Sequence, residues 1–223
     1  MSLFVCAKCG CVDNTATSSY WMLTNEYMVD KFDYAKELQP YKGMGLCSEC
    51  GRLATSPDGR DVVVPGKWHG KFPKEKAWDM KIKLDVFEAI KNYAPDDILI
   101  ISNQGGIEKG FVDREMFEYK FDYISNALED YTDVSVSAYY CESNNKRNAN
   151  RKPNIGMIKE YMDFIEYMNN DEDEEEKIVY DTILMIGDAS GKEGQFSDSD
   201  KKTAENFGCE YMDVDDFVDK YKD

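Results

Sequence analysis

Asp97-Ile98-Leu99-Ile100-Ile101-Ser102-Asn103-Gln104-Gly105-Gly106 is the stretch that decides the fold. Four apolar residues in a row, with no alternation, read as a short strand buried on both faces, as in a parallel sheet covered by helices. Upstream, Leu84, Phe87, Ile90 and Lys91 follow helical spacing, and Pro95 stops that helix. Downstream the chain keeps alternating. A helix is expected over 113–131, a strand over 134–141, and a helix over 155–168 with Pro153 just ahead of it. A strand over 178–186, a helix over 201–207 stopped by Gly208, a strand over 209–212 and a last helix complete the series. Such alternation specifies an α/β fold, a parallel sheet with helices on both faces. In folds of this kind ligands sit at the carboxyl ends of the strands, which is where Ser102 and Asp188 fall.

Three motifs gather at those ends. In Ile101-Ser102-Asn103-Gln104-Gly105-Gly106-Ile107 a hydroxyl and a Gly-rich turn place side-chain and backbone donors where a phosphate oxygen could sit, so Ser102, Asn103 and Gln104 are candidate phosphate ligands. In Asn150-Arg151-Lys152-Pro153-Asn154 a lysine stands at a helix entrance, where its point charge suits a phosphate. In Gly187-Asp188-Ala189-Ser190-Gly191, followed by Phe196-Ser197-Asp198-Ser199-Asp200, a strand-end carboxylate precedes further acids. One or two carboxylates with waters and phosphate oxygens suit Mg²⁺, which makes Asp188 and Asp198 the candidate ligands. Each motif also has a plainer reading. Ser102 could be a turn hydroxyl, Lys152 a surface cation, and Asp198 or Asp200 a helix N-cap.

Taken together, ISNQGGIEKG, RKPNIGMI, GDASGKEG and FSDSDKKTAENFG resemble the phosphatase domain of the haloacid dehalogenase superfamily, and within it the polynucleotide kinase 3′-phosphatase type. The resemblance covers residues 78–223. It implies a Rossmann-like parallel sheet and a Mg²⁺-dependent phosphatase acting on a phosphate monoester, such as a nucleic-acid 3′-end. By it Ser102 binds phosphate, Lys152 stabilises the phosphoryl group and Asp188 helps to hold Mg²⁺. It also implies a first motif, Asp-x-Asp-x-Thr, at the end of a central strand, with the nucleophile as its first residue. That motif is not found. Asp58, in Ser56-Pro57-Asp58-Gly59-Arg60, and Asp13, in Cys11-Val12-Asp13-Asn14-Thr15, are weak stand-ins, and Val62-Val63-Val64 is the best candidate for the strand. Loss of a nucleophile costs many orders of magnitude in turnover. The alternative is therefore a catalytically degenerate module that binds a phosphorylated ligand or a protein partner.

The first fifty residues carry a different chemistry. Cys6-Ala7-Lys8-Cys9-Gly10 and Cys47-Ser48-Glu49-Cys50-Gly51 are two CxxC-Gly pairs. The two-residue gap lets both thiolates of a pair face one ion, and four thiolates close a tetrahedral structural Zn²⁺ site. Cys6, Cys9, Cys47 and Cys50 are thus the expected ligands of a small N-terminal zinc ribbon, with Cys11 or His69 able to replace one of them. The spacer between the pairs must loop out, its aromatic residues packing under the metal. The ribbon and its basic tail are assigned to residues 1–77 and the phosphatase-like domain to 78–223.

Asp and Glu number 44 against 27 Lys and Arg, a formal charge of −17, and residues 1–80 carry ten of each sign. The acidic excess lies entirely in the second part and argues against nonspecific binding to a nucleic-acid backbone. Apolar residues at 42% suit a folded chain. No apolar run is long enough to span a membrane, and the first residues lack the basic start of a signal peptide, so a cytoplasmic protein is expected. Residues 171–176, DEDEEE, read as a solvated loop.

Overall fold

In a computed structural model the chain divides into two compact units, residues 1–84 and 85–223. The structure describes residues 3–16, 18–65, 80–170 and 176–222. The basic stretch holding His69 and most of the acidic run fall outside these.

The first unit is built around its cysteines. Strands β1 (Leu3–Val5) and β2 (Val12–Asn14) form an antiparallel pair bracketing the first CxxC. The long spacer folds into helix α1 (Tyr20–Thr24), two single 3₁₀ segments and strand β3 (Asp33–Tyr34). It drops Leu23, Leu38 and Leu46 into one buried cluster with Cys6, Cys11 and Cys47. Beyond the second CxxC, β4 (Arg52–Thr55) and β5 (Asp61–Val64) make a hairpin, and β5 also pairs in parallel with β3. Met80 to Ile82, assigned by sequence to the second domain, belong with this unit. Val12 donates to the Met80 carbonyl at 3.1 Å and Ile82 donates to that of Gly10 at 2.7 Å. Gly10 is obligatory there: its φ is +72° and a Cβ would lie 1.8 Å from the Ile82 carbonyl oxygen.

Val62–Val64 cannot be the missing central strand, because β5 is hydrogen-bonded on both sides within this first unit. The run is short, and its apolar character fits either place; the Gly59 turn (φ +83°) commits it to the hairpin.

The second unit alternates as expected: α2 (Leu84–Tyr93), β6 (Ile98–Asn103), α3 (Gly105–Glu108), α4 (Arg114–Thr132), β7 (Val136–Cys141), α5 (Gly156–Asn169), β8 (Leu184–Gly187), α6 (Ser199–Phe207), β9 (Glu210–Asp213) and α7 (Val214–Tyr221). Local chemistry sets the ends. Asp113 caps α4 by accepting from the Met116 N–H at 2.9 Å. Asp133 and Gly208 close α4 and α6 in left-handed conformation. Pairing is parallel throughout, β6 with β7 and β8 with β9. The α/β class therefore holds, but the sheet is in two halves, since neither pair bonds to the other among the described residues. Consequently no residue of β6 is fully buried, although its sequence reads as buried on both faces. The core of the unit lies instead on the helices, at Phe87, Leu128, Met157, Ile158, Tyr161, Ile165, Ala204 and Phe217. No helix of the described residues is long and apolar enough to cross a membrane.

Candidate functional site

Asn103, the last residue of β6, clamps the Lys152 main chain from both sides. Its Nδ2 donates to the Lys152 carbonyl at 3.0 Å and its Oδ1 accepts from the Lys152 N–H at 2.9 Å. This pins the Arg151-Lys152-Pro153 segment to the strand end, and Arg151 adds a bond to the Ser143 carbonyl at 2.7 Å. The clamp turns the Lys152 side chain inward. Its Nζ donates to the Ile101 carbonyl at 3.1 Å and lies 2.8 Å from Asp200 Oδ1, with both side chains nearly buried. Asp200 in turn sits against Gly187, the last residue of β8, where a Cβ would lie 2.3 Å from its Oδ2. Only glycine at 187 admits that carboxylate.

Lys152 therefore joins the carboxyl ends of β6 and β8. Ser102 follows Ile101 directly and Asp188 follows Gly187 directly, so the structure brings all three motifs to one place. The Ser102 hydroxyl accepts from Gln104 Nε2 at 2.6 Å. In this state Asn103 and Gln104 position Lys152 and Ser102. Asp188 is exposed and makes no hydrogen bond or ion pair among the described residues. Beside the Gly-rich turn lies a cleft of about 670 Å³ lined by Ile107, Glu108, Phe111, Arg114, Glu142 and Ser143.

The acids after Asp188 divide differently from the sequence reading. Asp198 occupies the N-cap position of α6 without a side-chain cap bond. It pairs on the surface with Lys202 at 2.6 Å, which holds its carboxyl below the usual range. Asp200 is not the cap; it is the buried partner of Lys152. Sequence offered no sign of this, because the two are far apart in the chain and a helix-entrance aspartate is ordinarily a cap.

A second carboxylate braces the β8 end. Asp213 is buried and accepts from Gln195 at 2.7 Å, from Ser190 at 2.8 Å and from the Asp215 N–H at 3.2 Å. Burial pushes its carboxyl up, but the bonds from Gln195, Ser190, Asp215 and Lys192 outweigh this and hold it below the ordinary range. A depressed carboxyl gives stability that is full above the unfolded value, about 3.9, and is lost as pH falls through the folded one. Asp213→Asn should therefore cost about 1–3 kcal/mol at pH 7, with the difference from wild type shrinking below pH 4. Urea titrations at the two pH values measure it.

Asp13 and Asp58 both lie in the first unit and both are in structural use. Asp13 accepts from the Ser48 N–H at 2.7 Å and the Ser48 hydroxyl at 2.6 Å, tying β2 to the second CxxC. Asp58 accepts from the Ser56 hydroxyl and from Arg60 in the β4–β5 turn, which keeps its carboxyl low.

The Sγ atoms of Cys6, Cys9, Cys47 and Cys50 all lie within 4.8 Å of one another, with Cys9 and Cys47 at 3.7 Å. A tetrahedron of sulfurs about 2.3 Å from an ion has edges of about 3.8 Å, so the four residues could hold a metal ion. Cys11 is buried nearby but is not one of the four. Hydrogen bonds from Cys47, Cys50 and Cys9 pull the Cys6 thiol far down, while those to Cys47, Cys6 and Cys9 push Cys50 far up.

The family model for polynucleotide kinase 3 phosphatase matches residues 61–218, and the chain belongs to that family, a phosphatase group of the haloacid dehalogenase superfamily. A curated relative, a probable D-glycero-D-manno-heptose-1,7-bisphosphate 7-phosphatase of Thermoplasma volcanium, is 25% identical over 122 residues, 53% of this chain and 76% of that protein. Among solved structures, the D,D-heptose 1,7-bisphosphate phosphatase of B. bronchiseptica, complexed with magnesium and phosphate, is 17% identical, with a TM-score of 0.41 over 65% of this chain and 71% of that one.

Proposed function

We propose that the second unit handles a phosphate monoester at the joined ends of β6 and β8, as a Mg²⁺-dependent phosphatase. The observation that carries this is Lys152, fixed between the carbonyl of Ile101, which precedes Ser102, and Asp200, which packs against Gly187, the residue before Asp188. Ser102 and the Gly105–Gly106 turn supply donors to phosphate oxygens, and Lys152 offsets charge on the phosphoryl group. Asp188, without a hydrogen bond or ion pair among the described residues, suits a hard cation, and Asp198 could join it only by releasing Lys202. Bound there, Mg²⁺ would supply Lewis-acid neutralisation of the phosphate. The family's name favours a nucleic-acid 3′-phosphate, and the acidic surface then calls for recognition of the end rather than of the backbone. In the first unit Cys6, Cys9, Cys47 and Cys50 would hold a structural Zn²⁺.

One observation favours a second reading, a module that binds a phosphorylated ligand without turnover: among the described residues no strand lies between β6 and β8, and Asp13 and Asp58 are committed elsewhere. Phosphate release from a 3′-phosphorylated oligonucleotide, a sugar bisphosphate and p-nitrophenyl phosphate, with and without Mg²⁺, separates the two. The phosphatase reading expects release that Asp188→Asn reduces at least about 10²-fold. No release from any substrate, with saturable binding of the oligonucleotide end, establishes the second reading instead.

A further inference from the structure

Among the described residues no main-chain pairing joins β6 to β8, yet side chains tie them at both ends. At their amino ends Asp97, just before β6, accepts from Tyr180, upstream of β8, at 2.8 Å, and from Tyr161 of α5. At their carboxyl ends Lys152 spans Ile101 and Asp200. Between these side-chain ties no described strand pairs with the facing edge of either.

The ladders show which atoms those edges offer. Ile98 donates to the Ser135 carbonyl at 3.0 Å and Gln104 to that of Cys141 at 2.7 Å, so the even-numbered residues of β6 turn to β7. Leu99, Ile101 and Asn103 turn their N–H and C=O groups the other way, and the reach of Lys152 to the Ile101 carbonyl agrees. In β8 the Ile183 carbonyl accepts from Glu210 at 3.2 Å, so Ile183, Met185 and Gly187 face β9 while Leu184 and Ile186 face away. Half-buried main-chain groups need partners, and a two-stranded parallel pair is not a stable sheet by itself. One intervening strand needs roughly 9.6 Å between its neighbours, a gap that a lysine head group and one carboxylate can bridge.

Among the described residues no strand fills the slot. Every described strand is already paired elsewhere. Residues 66–79 and 171–175 contain no run of three apolar residues. A second copy brings only the same segments. We propose that an extended segment of a different polypeptide inserts between β6 and β8, parallel to both, and completes one five-stranded sheet. Its chemistry follows from the slot. Ile98 to Ile101 and Leu184 to Ile186 call for four or five apolar residues in a row. Exposed carboxylates at the mouths, Asp96 and Asp181 at one end and Asp188 at the other, call for Lys or Arg on the flanks. The unit as a whole carries 15 basic and 34 acidic side chains over 85–223, which steers such a basic-flanked segment inward. This inference stands whether or not the protein turns over a phosphate ester.

Amide hydrogen exchange of the full chain, alone and with a synthetic peptide Lys-Lys-Val-Ile-Val-Val-Ile-Gly-Lys-Lys, tests it. In the free protein Leu99, Ile101, Asn103, Leu184 and Ile186 should exchange faster than Ile98, Ile100 and Ser102. Saturating peptide should slow the first group by about tenfold or more, one hydrogen bond's worth each, and a control peptide with Pro for the two central valines should not. The proposal is overturned by equal protection of both groups in the free protein, by unchanged exchange with the peptide, or by equal protection from the Pro control.

Discussion

Lys152→Ala should destabilise the second unit by about 3–5 kcal/mol, the cost of stranding a buried carboxylate when its partner is removed. Lys152 Nζ and Asp200 Oδ1 are 2.8 Å apart, with the side chains only 13% and 7% exposed, so little solvent can enter to replace the lost cation. Asp200 also has no room to turn away, because it is packed against Gly187. Asp200→Asn should cost less, since an amide oxygen still accepts from Lys152, but it leaves the ammonium buried without a counter-charge. The double variant Lys152→Met/Asp200→Leu should be more stable than Lys152→Ala, because two desolvated charges disappear together. Urea unfolding followed by the second unit's transition provides all three numbers. A loss below about 1 kcal/mol for Lys152→Ala would mean the pair is effectively solvated, and Lys152 would then not be the fixed cation on which phosphate handling depends. Under the phosphatase reading Lys152→Ala also abolishes turnover, and Lys152→Arg does not restore it, since a planar guanidinium cannot fit between the Ile101 carbonyl and Asp200.

What could be read from residues alone was whatever local chemistry decides. The apolar run Ile98–Ile101, the helix start near Asp113 and the Gly208 stop each depend on neighbours within a few positions, and each falls within a residue or two of its expected position. β8 is shorter than its apolar pattern because long-range bonds intervene. Asn169 holds Ile178 by its N–H and its carbonyl, both at 2.8 Å, and Tyr180 is drawn to Asp97, so pairing starts only at Leu184. The candidate site was legible as three motifs at strand ends, but not as a mechanism of assembly. The Asn103 clamp and the Lys152–Asp200 pair each join residues nearly fifty positions apart, and no periodicity records such pairs. The divided sheet was equally hidden, because an apolar run shows that a strand wants neighbours without showing whether the chain contains them.

Cys47→Ser should remove the metal from the first unit and unfold it. Among its described residues the unit has short strands, a five-residue helix, 3₁₀ segments and a core in which Cys6, Cys11 and Cys47 are themselves members, beside Leu23, Leu38, Leu46, Phe32, Tyr34 and Val63. Structural zinc contributes about 10–16 kcal/mol to folding in small domains, comparable to or above the entire net stability of a typical domain, about 5–15 kcal/mol. The ion proposed at Cys6, Cys9, Cys47 and Cys50 would therefore decide whether residues 1–84 fold. Metal analysis should find about one zinc per wild-type chain, the single closed site that four thiolates make, and none in Cys47→Ser. Hydrogen exchange in the variant should rise to unprotected rates through residues 3–65 while 85–223 keeps its protection, as its helices and strands depend on none of the four thiols. Cys11→Ser separates ligand from neighbour. Cys11 is buried against the site but lies outside the four-sulfur group, so this variant should keep its zinc and lose only packing. Retention of zinc and of exchange protection in Cys47→Ser, or loss of zinc in Cys11→Ser, would reassign the metal to a different set of thiols.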